Sequence, residues 1–216
     1  MLRQLGPMDL ASLAGAGRGC AAAVAATALM RWANRVKRTA AGRVFPLPPL
    51  CVQSACSHAA RGGNREVLEW LHNTGCPWDG ATACAAAGGG HMDVLQWARE
   101  HDCPMDTRTC AHAARFGHLR VLQWAREHHC PWTSATPALA SEGGHLAVLQ
   151  WAHDHGCLWD LRACCYAAIY GQLEVLQRMR ENDATGEVWD EDVVHHYAGG
   201  PRKQEVLTWL AQLSAP

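Results

Sequence analysis

Trp70, Trp97, Trp124 and Trp151 recur at a constant step of 27, and Cys76, Cys103, Cys130 and Cys157 keep the same step. So do Val67, Val94, Val121, Val148 and Val175, each followed at once by leucine. A fixed period of this kind is the signature of a repeat architecture, in which each copy contacts its neighbours and no single copy closes a core of its own. The unit Gly80–Asp106 shows what is being repeated. Ala81–Ala87 is rich in the strongest helix former and runs into glycines, as a short helix does at its end. From His91 to His101 the residues Val94, Leu95, Trp97 and Ala98 fall on one side and the polar residues largely on the other, which predicts a second, amphipathic helix. Pro104 then ends it. Helix, glycine turn, helix and tight proline loop make up the unit, and a unit this short buries too little apolar surface to order itself alone. The chain is therefore expected to be an all-α solenoid of stacked helix-turn-helix repeats.

Five units are expected, over 54–79, 80–106, 107–133, 134–160 and 161–190, followed by a sixth from Glu191 to Pro216 that serves as a C-terminal cap. The interval from Val175 to Val206 is longer than the regular step by about one helical turn, and the Cys-Pro pattern is lost there. Residues 1–53 read differently, as a basic segment rich in Ala and Arg. Residues 1–65 hold nine basic side chains against the single acid Asp9, while the rest of the chain carries a net charge of about −9. Cys20-Ala21-Ala22-Ala23 followed by Leu29-Met30-Arg31-Trp32-Ala33 parallels Cys84–Ala87 and Val94–Ala98. The segment is thus a decayed repeat or N-terminal cap, a disordered arm, or a targeting sequence.

The unit carries a resemblance. Thr109-Cys110-Ala111-His112-Ala113-Ala114-Arg115-Phe116-Gly117-His118 resembles the ankyrin-repeat signature T-P-L-H-x-A-A-x-x-G-H, and Thr136-Pro137 restores its Thr-Pro pair. Val121-Leu122-Gln123-Trp124 is similar to the second-helix region of that repeat, and Cys130-Pro131-Trp132 occupies the place of its loop. The unit is shorter than the usual length of about 33 residues, which implies shortened loops in place of the projecting hairpin. It resembles the short Cys-Pro-Trp-Asp variety found in protist, algal and giant-virus arrays. The resemblance covers roughly residues 54–216 and implies a protein-protein interaction module, a scaffold or adaptor, with the first helix of each unit lining a concave binding face.

The abundant histidines and cysteines invite a metal reading, which the period argues against. Stacked helices sit about 8–10 Å apart, whereas zinc ligands must all lie within about 2.0–2.3 Å of one ion. Cysteines from successive loops are expected to be small buried hydrophobes, and no metal or other cofactor is expected. His91, His118 and His145 each follow the glycine turn, and the resemblance implies that their rings bond backbone between turns. Cys164-Cys165 reads as a pair of helix thiols. Copies spread along a stack do not make a unique catalytic constellation, so no enzyme activity is expected. Eleven cysteines, an odd number without a CxxC pair, point to reduced thiols in an intracellular, cytoplasmic setting. No apolar run reaches the roughly 18 residues of a membrane span.

Positions that recur in every unit serve the stack, so recognition is expected where the copies differ. On the first helices and their turns Arg108, His112, Arg115, Phe116, Arg162, Tyr166 and Tyr170 are expected to bind a partner protein, Arg and aromatics being favoured interface anchors. The tryptophans at 70, 97, 124 and 151 are expected in the core. Trp132 and Trp159 in the closing loops either seal the stack or add an aromatic ladder to the binding surface. The expected partner is a protein met by a monomer, with no small-molecule substrate and no membrane. The alternative functions are a targeting subunit whose basic N-terminus contacts nucleic acid or an organelle import system, and a zinc or thiol-redox protein.

Overall fold

A computed structural model describes residues 52–73, 75–182 and 189–213. The readings of the basic segment as decayed repeat, arm or targeting sequence fall almost wholly on 1–51, outside the described residues. Twelve helices and no strand occur among the described residues. In chain order they are α1 (Val52–Arg61), α2 (Arg65–Asn73), α3 (Gly80–Gly89), α4 (Met92–Glu100), α5 (Thr107–Arg115), α6 (Leu119–Glu127), α7 (Ala135–Gly143), α8 (Leu146–Asp154), α9 (Leu161–Tyr170), α10 (Leu173–Asn182), α11 (Glu191–Tyr197) and α12 (Lys203–Leu213). They pair as six hairpins. The odd-numbered helices pack directly on one another from α1 to α11, whereas the even-numbered helices touch chiefly the first helix of their own hairpin. The first helices thus form one closely packed row and the second helices a looser one beside it.

Side-chain size causes the difference. The buried positions of the first helices are small: Ala83, Cys84, Ala86 and Ala87 in α3, Thr109, Cys110, Ala113 and Ala114 in α5, Ala163, Cys164, Ala167 and Ala168 in α9. Such surfaces let helix backbones approach closely. The second helices contribute the larger core residues Val94, Leu95, Val121, Leu122, Val148, Leu149, Val175 and Leu176, all fully or nearly fully buried.

Each first helix from α3 onward begins at a side-chain cap. Asp79 accepts from the Ala81 amide at 2.9 Å, Asp106 from Arg108 at 2.9 Å, and Asp160 from Arg162 at 3.1 Å. Thr133 takes this role for Ala135 at 3.3 Å, and Asp190 accepts from Val193 at 3.0 Å. The residue that closes one unit therefore starts the next. Thiols tie the ends of the unit together: Cys103, Cys130 and Cys157 point their Sγ at the carbonyls of Asp79, Asp106 and Thr133, at 3.6, 3.4 and 3.4 Å.

Units are joined at the glycine turns. His91 Nε2 donates to the Arg61 carbonyl at 3.0 Å and His118 Nε2 to that of Gly88 at 3.1 Å, while Gln172 makes the same bond to Glu142 at 3.2 Å. Each of these carbonyls lies near the end of the preceding first helix, where no helical amide remains to pair with it. The backbone-bonding role expected of the turn histidines is thus visible at His91 and His118, and Gln172 shows that an amide can replace the ring.

The closing loops correct part of the aromatic reading. Trp97 is 6% exposed, whereas Trp70, Trp124 and Trp151 are only half-buried. A histidine one turn further on caps the helix and stacks on each of the last three tryptophans: His101 on Trp97, His128 on Trp124 and His155 on Trp151, with centroids 4.4, 4.3 and 4.2 Å apart. The Nδ1 of each ring donates to the same tryptophan's carbonyl at 2.8 Å. The loop tryptophans face the next unit's second helix, Trp78 meeting Trp97 at 5.4 Å and Trp132 meeting Trp151 at 5.8 Å, edge to face. Trp189 meets Trp209 in the same manner at 5.6 Å, so the lengthened unit keeps its closing Trp-Asp pair although it loses Cys-Pro.

Candidate partner-binding face

The first-helix face is built from two lines of residues along each first helix. In α9 these are Leu161, Cys165 and Ile169, and beside them Arg162, Tyr166 and Tyr170, spaced by four so that each line follows the helix axis. The remaining α9 residues Ala163, Cys164, Ala167 and Ala168 are buried against neighbours. The repeat register puts Arg108, Ala135 and Arg162 at one level, His112, Leu139 and Tyr166 at the next, and Phe116, Gly143 and Tyr170 at the turn. Of the residues expected to bind a partner, all but Trp132 and Trp159 therefore share one face.

Their chemistry differs from unit to unit. In α3 the same levels hold Ala81, Ala85, Gly88 and Gly89, and α5 leans into the space they leave. A methyl group on Gly88 would stand 3.3 Å from the Phe116 ring and 3.6 Å from His112 Nδ1, and one on Gly80 would stand 3.2 Å from Arg108 Nη2. Phe116 nevertheless stays 44% exposed. Burial holds the His112 imidazole below its usual pKa, and the charges of Arg61, Arg115 and Arg108 push it the same way. The ring is thus a neutral group among cations.

The arginines are committed inside the protein. Arg108 clasps Asp106 through Nε and Nη2 at 2.9 and 2.7 Å. Arg162 clasps Asp160 at 3.0 and 2.8 Å and reaches Ser134 Oγ at 2.6 Å. Arg115 pairs with Glu142 of the next unit. Each guanidinium therefore meets the face with its charge already matched, so what the face offers is planar and apolar surface more than net positive charge. Leu161, Ile169 and Tyr170 are all exposed, at 42%, 37% and 45%, giving α9 the greatest apolar content of the row.

Leu161 and Ile169 are not among the residues chosen from sequence. The signal was available, since the register Gly80, Thr107, Ser134, Leu161 changes from small to large, and Gly88, Arg115, Glu142, Ile169 changes from charged to apolar. Trp132 and Trp159 do not join the face. Trp132 lies in a groove of about 530 Å³ on the second-helix side with Gln123, Arg126, Glu127, Trp151 and His155, and the Arg126 guanidinium covers its ring at 4.2 Å. Trp159 is only 7% exposed and stacks on His153 at 4.1 Å. Both seal the stack, because a bare loop leaves the second-helix row without any other cover.

The capping acids make the N-terminal edge of the face pH-sensitive. Hydrogen bonds from Arg108 hold the Asp106 carboxyl below its usual value, against an opposing effect of burial. For Asp160 burial raises the value, and the bonds from Arg162 and Ser134 outweigh it. A carboxyl depressed in the folded state stabilises above its unfolded pKa and loses that contribution as pH falls through the folded one. Asp106→Ala is expected to cost about 1 kcal/mol at pH 7, with the difference shrinking below about pH 4. Paired denaturant titrations at pH 7 and in acid check this, and an undiminished difference in acid would refute it.

Among the described residues no group of three or more His, Cys, Asp or Glu is placed to hold a metal ion, and no helix is long and apolar enough to cross a membrane. The fold is similar to that of the human ASB11 ankyrin repeat domain, with 14% identity, 86% of this chain and 95% of that chain covered, and a TM-score of 0.59. Two structures of the pentatricopeptide repeat protein PPR10 in complex with an 18-nt psaJ RNA element, one of them a C256S/C430S/C449S variant, match at 17% identity and a TM-score of 0.47, covering 94% of this chain and 35% of theirs. No protein-family model and no curated protein matches the chain.

Proposed function

We propose that this helical-repeat solenoid of ankyrin type is a protein-binding scaffold or adaptor, working inside the cell without chemistry of its own, and that its partner lies along the first-helix face from α5 to α9. The observation that carries the reading is the contrast within one repeat. Stack positions keep Ala, Cys, Val and Leu in copy after copy, while the two lines of the face run from Ala and Gly in α3 to Leu161, Tyr166, Ile169 and Tyr170 in α9. Exposed Tyr, Phe and Ile on a rigid helix row supply contact area at small ordering cost. Six hairpins over residues 52–213 form the binding domain, with α11 and α12 as its closing unit.

Affinity capture from native cell extract with mass spectrometry, comparing the wild type with Phe116→Ala/Tyr170→Ala, tests the reading. Neither side chain is buried, so circular dichroism should show both proteins folded. A protein enriched by the wild type and reduced about tenfold or more by the variant is the expected result. Equal enrichment by both proteins would remove the face from the account, and enrichment of nothing by the wild type would remove the scaffold reading.

A further inference from the structure

Cys56 of α1 and Cys76 of the loop after α2 stand with their sulfurs 3.4 Å apart, both buried, and Cys56 donates its S–H to Cys76. Two units further along the stack the same levels hold Cys110 and Cys130. There the first-helix thiol again turns to the loop residue, Cys110 Sγ donating to the Cys130 carbonyl at 3.9 Å. The intervening units lack the pair: Ala83 stands opposite Cys103, and Pro137 opposite Cys157. In α9 the first-helix thiol Cys164 meets Met179 Sδ at 3.6 Å. The dithiols therefore alternate along the stack.

We propose that units one and three each carry a disulfide-forming site, Cys56–Cys76 and Cys110–Cys130, oxidised by a hydroperoxide, and that units two and four do not. At Cys56–Cys76 the sulfurs are in van der Waals contact, so closure to the roughly 2.05 Å of an S–S bond moves them by little more than about 1 Å. The loop thiol is the nucleophile, because its thiolate accepts the hydrogen bond of its neighbour. That bond brings Cys130 below the usual thiol value, against the effect of burial. At Cys76 burial raises the value and the bond from Cys56 opposes it. Cys103 and Cys157, without such a neighbour, are pushed up to about 12 and about 11 by burial. The thiolate attacks the peroxide oxygen and expels hydroxide, giving a sulfenic acid. The first-helix thiol then attacks that sulfur, the S–S bond forms and water leaves, so two thiols and one hydrogen peroxide give one disulfide and two waters. Such a bond would staple the first helix of the unit to the loop that starts the next.

The test treats the folded full-length chain with hydrogen peroxide, blocks remaining thiols with N-ethylmaleimide and maps non-reduced peptides by mass spectrometry. Two cross-linked species, Cys56–Cys76 and Cys110–Cys130, are expected, with Cys103 and Cys157 alkylated. Their yield should rise from pH 7 to pH 9 as the thiolate fraction grows. In C56A/C110A, whose alanines copy the natural Ala83, both cross-links should vanish and Cys76 and Cys130, now without the hydrogen bond that activates them, should be alkylated as Cys103 is. Cross-links that involve Cys103 or Cys157, or oxidation of Cys76 and Cys130 in the wild type to acids without any disulfide, would overturn the proposal.

Discussion

Trp97→Ala is expected to cost about 3–5 kcal/mol, the range for truncating a well-buried tryptophan, while Trp124→Ala is expected to cost about half as much. Urea titration followed by circular dichroism measures both. The comparison is sharp because the two residues lie in one octapeptide, Val-Leu-Gln-Trp-Ala-Arg-Glu-His, present at 94–101 and again at 121–128. Local propensity and helix-face pattern are thereby identical. What differs is the preceding unit, which offers Trp97 both a loop tryptophan and the helix residue His72, where the next copy has Met105 and Arg99. Trp97 is enclosed by Trp78 at 5.4 Å, His72 at 5.7 Å and its own His101 at 4.4 Å. Trp124 stacks on His128 in the same way, but Met105 stands where Trp78 would be, and the indole remains half-buried. Equal losses at the two sites would show that the preceding unit's side chains do not set the value of the tryptophan beyond them.

Gly117→Ala is expected to destabilise by about 2–5 kcal/mol, from two separable sources. The backbone there has φ of 76°, a left-handed conformation that costs an alanine roughly 1–2 kcal/mol. The new methyl group would also stand 2.6 Å from Nδ1 and 3.0 Å from Cγ of His145. Cγ is the anchored end of the ring, so relief requires a shift of the next unit, at about 1–3 kcal/mol for overpacking. Gly156→Ala serves as the control. Its φ is 83° but nothing lies within 4 Å of the added group, so only the backbone cost should appear. The excess at Gly117, read from the two denaturation midpoints, reports the packing of one unit's glycine against the next unit's histidine. No excess would mean that the imidazole yields freely.

The division between legible and illegible features follows the range of the interaction that fixes each one. Hairpins were legible because helix formers, glycines and proline act within a few residues, and the fixed step of Trp, Cys and Val-Leu announced that neighbouring hairpins share a core. The capping acids were equally local, although Asp79, Asp106 and Asp160 show their role only once the closing residue of one unit is read as the first cap of the next. The candidate face was legible in part. Comparing copies finds the levels that vary, and Arg108, His112, Arg115, Phe116, Arg162, Tyr166 and Tyr170 do lie together; whether a guanidinium there is unengaged or clasped by Asp106, Asp160 or Glu142 depends on the carboxylates that the fold brings within reach.

By itself, then, the sequence determined an all-α stack of hairpins, since period, helix propensity and turn residues all act locally and agree. Tertiary structure alone decided that Trp159 is sealed inside, that one octapeptide holds a buried tryptophan at 97 and a half-buried one at 124, and that Cys56 meets Cys76 sulfur to sulfur. The physical reason is common to the three. Burial and contact are set by what the adjacent helix or loop carries, and a repeat that is nearly the same in every copy leaves those outcomes to the few side chains that differ.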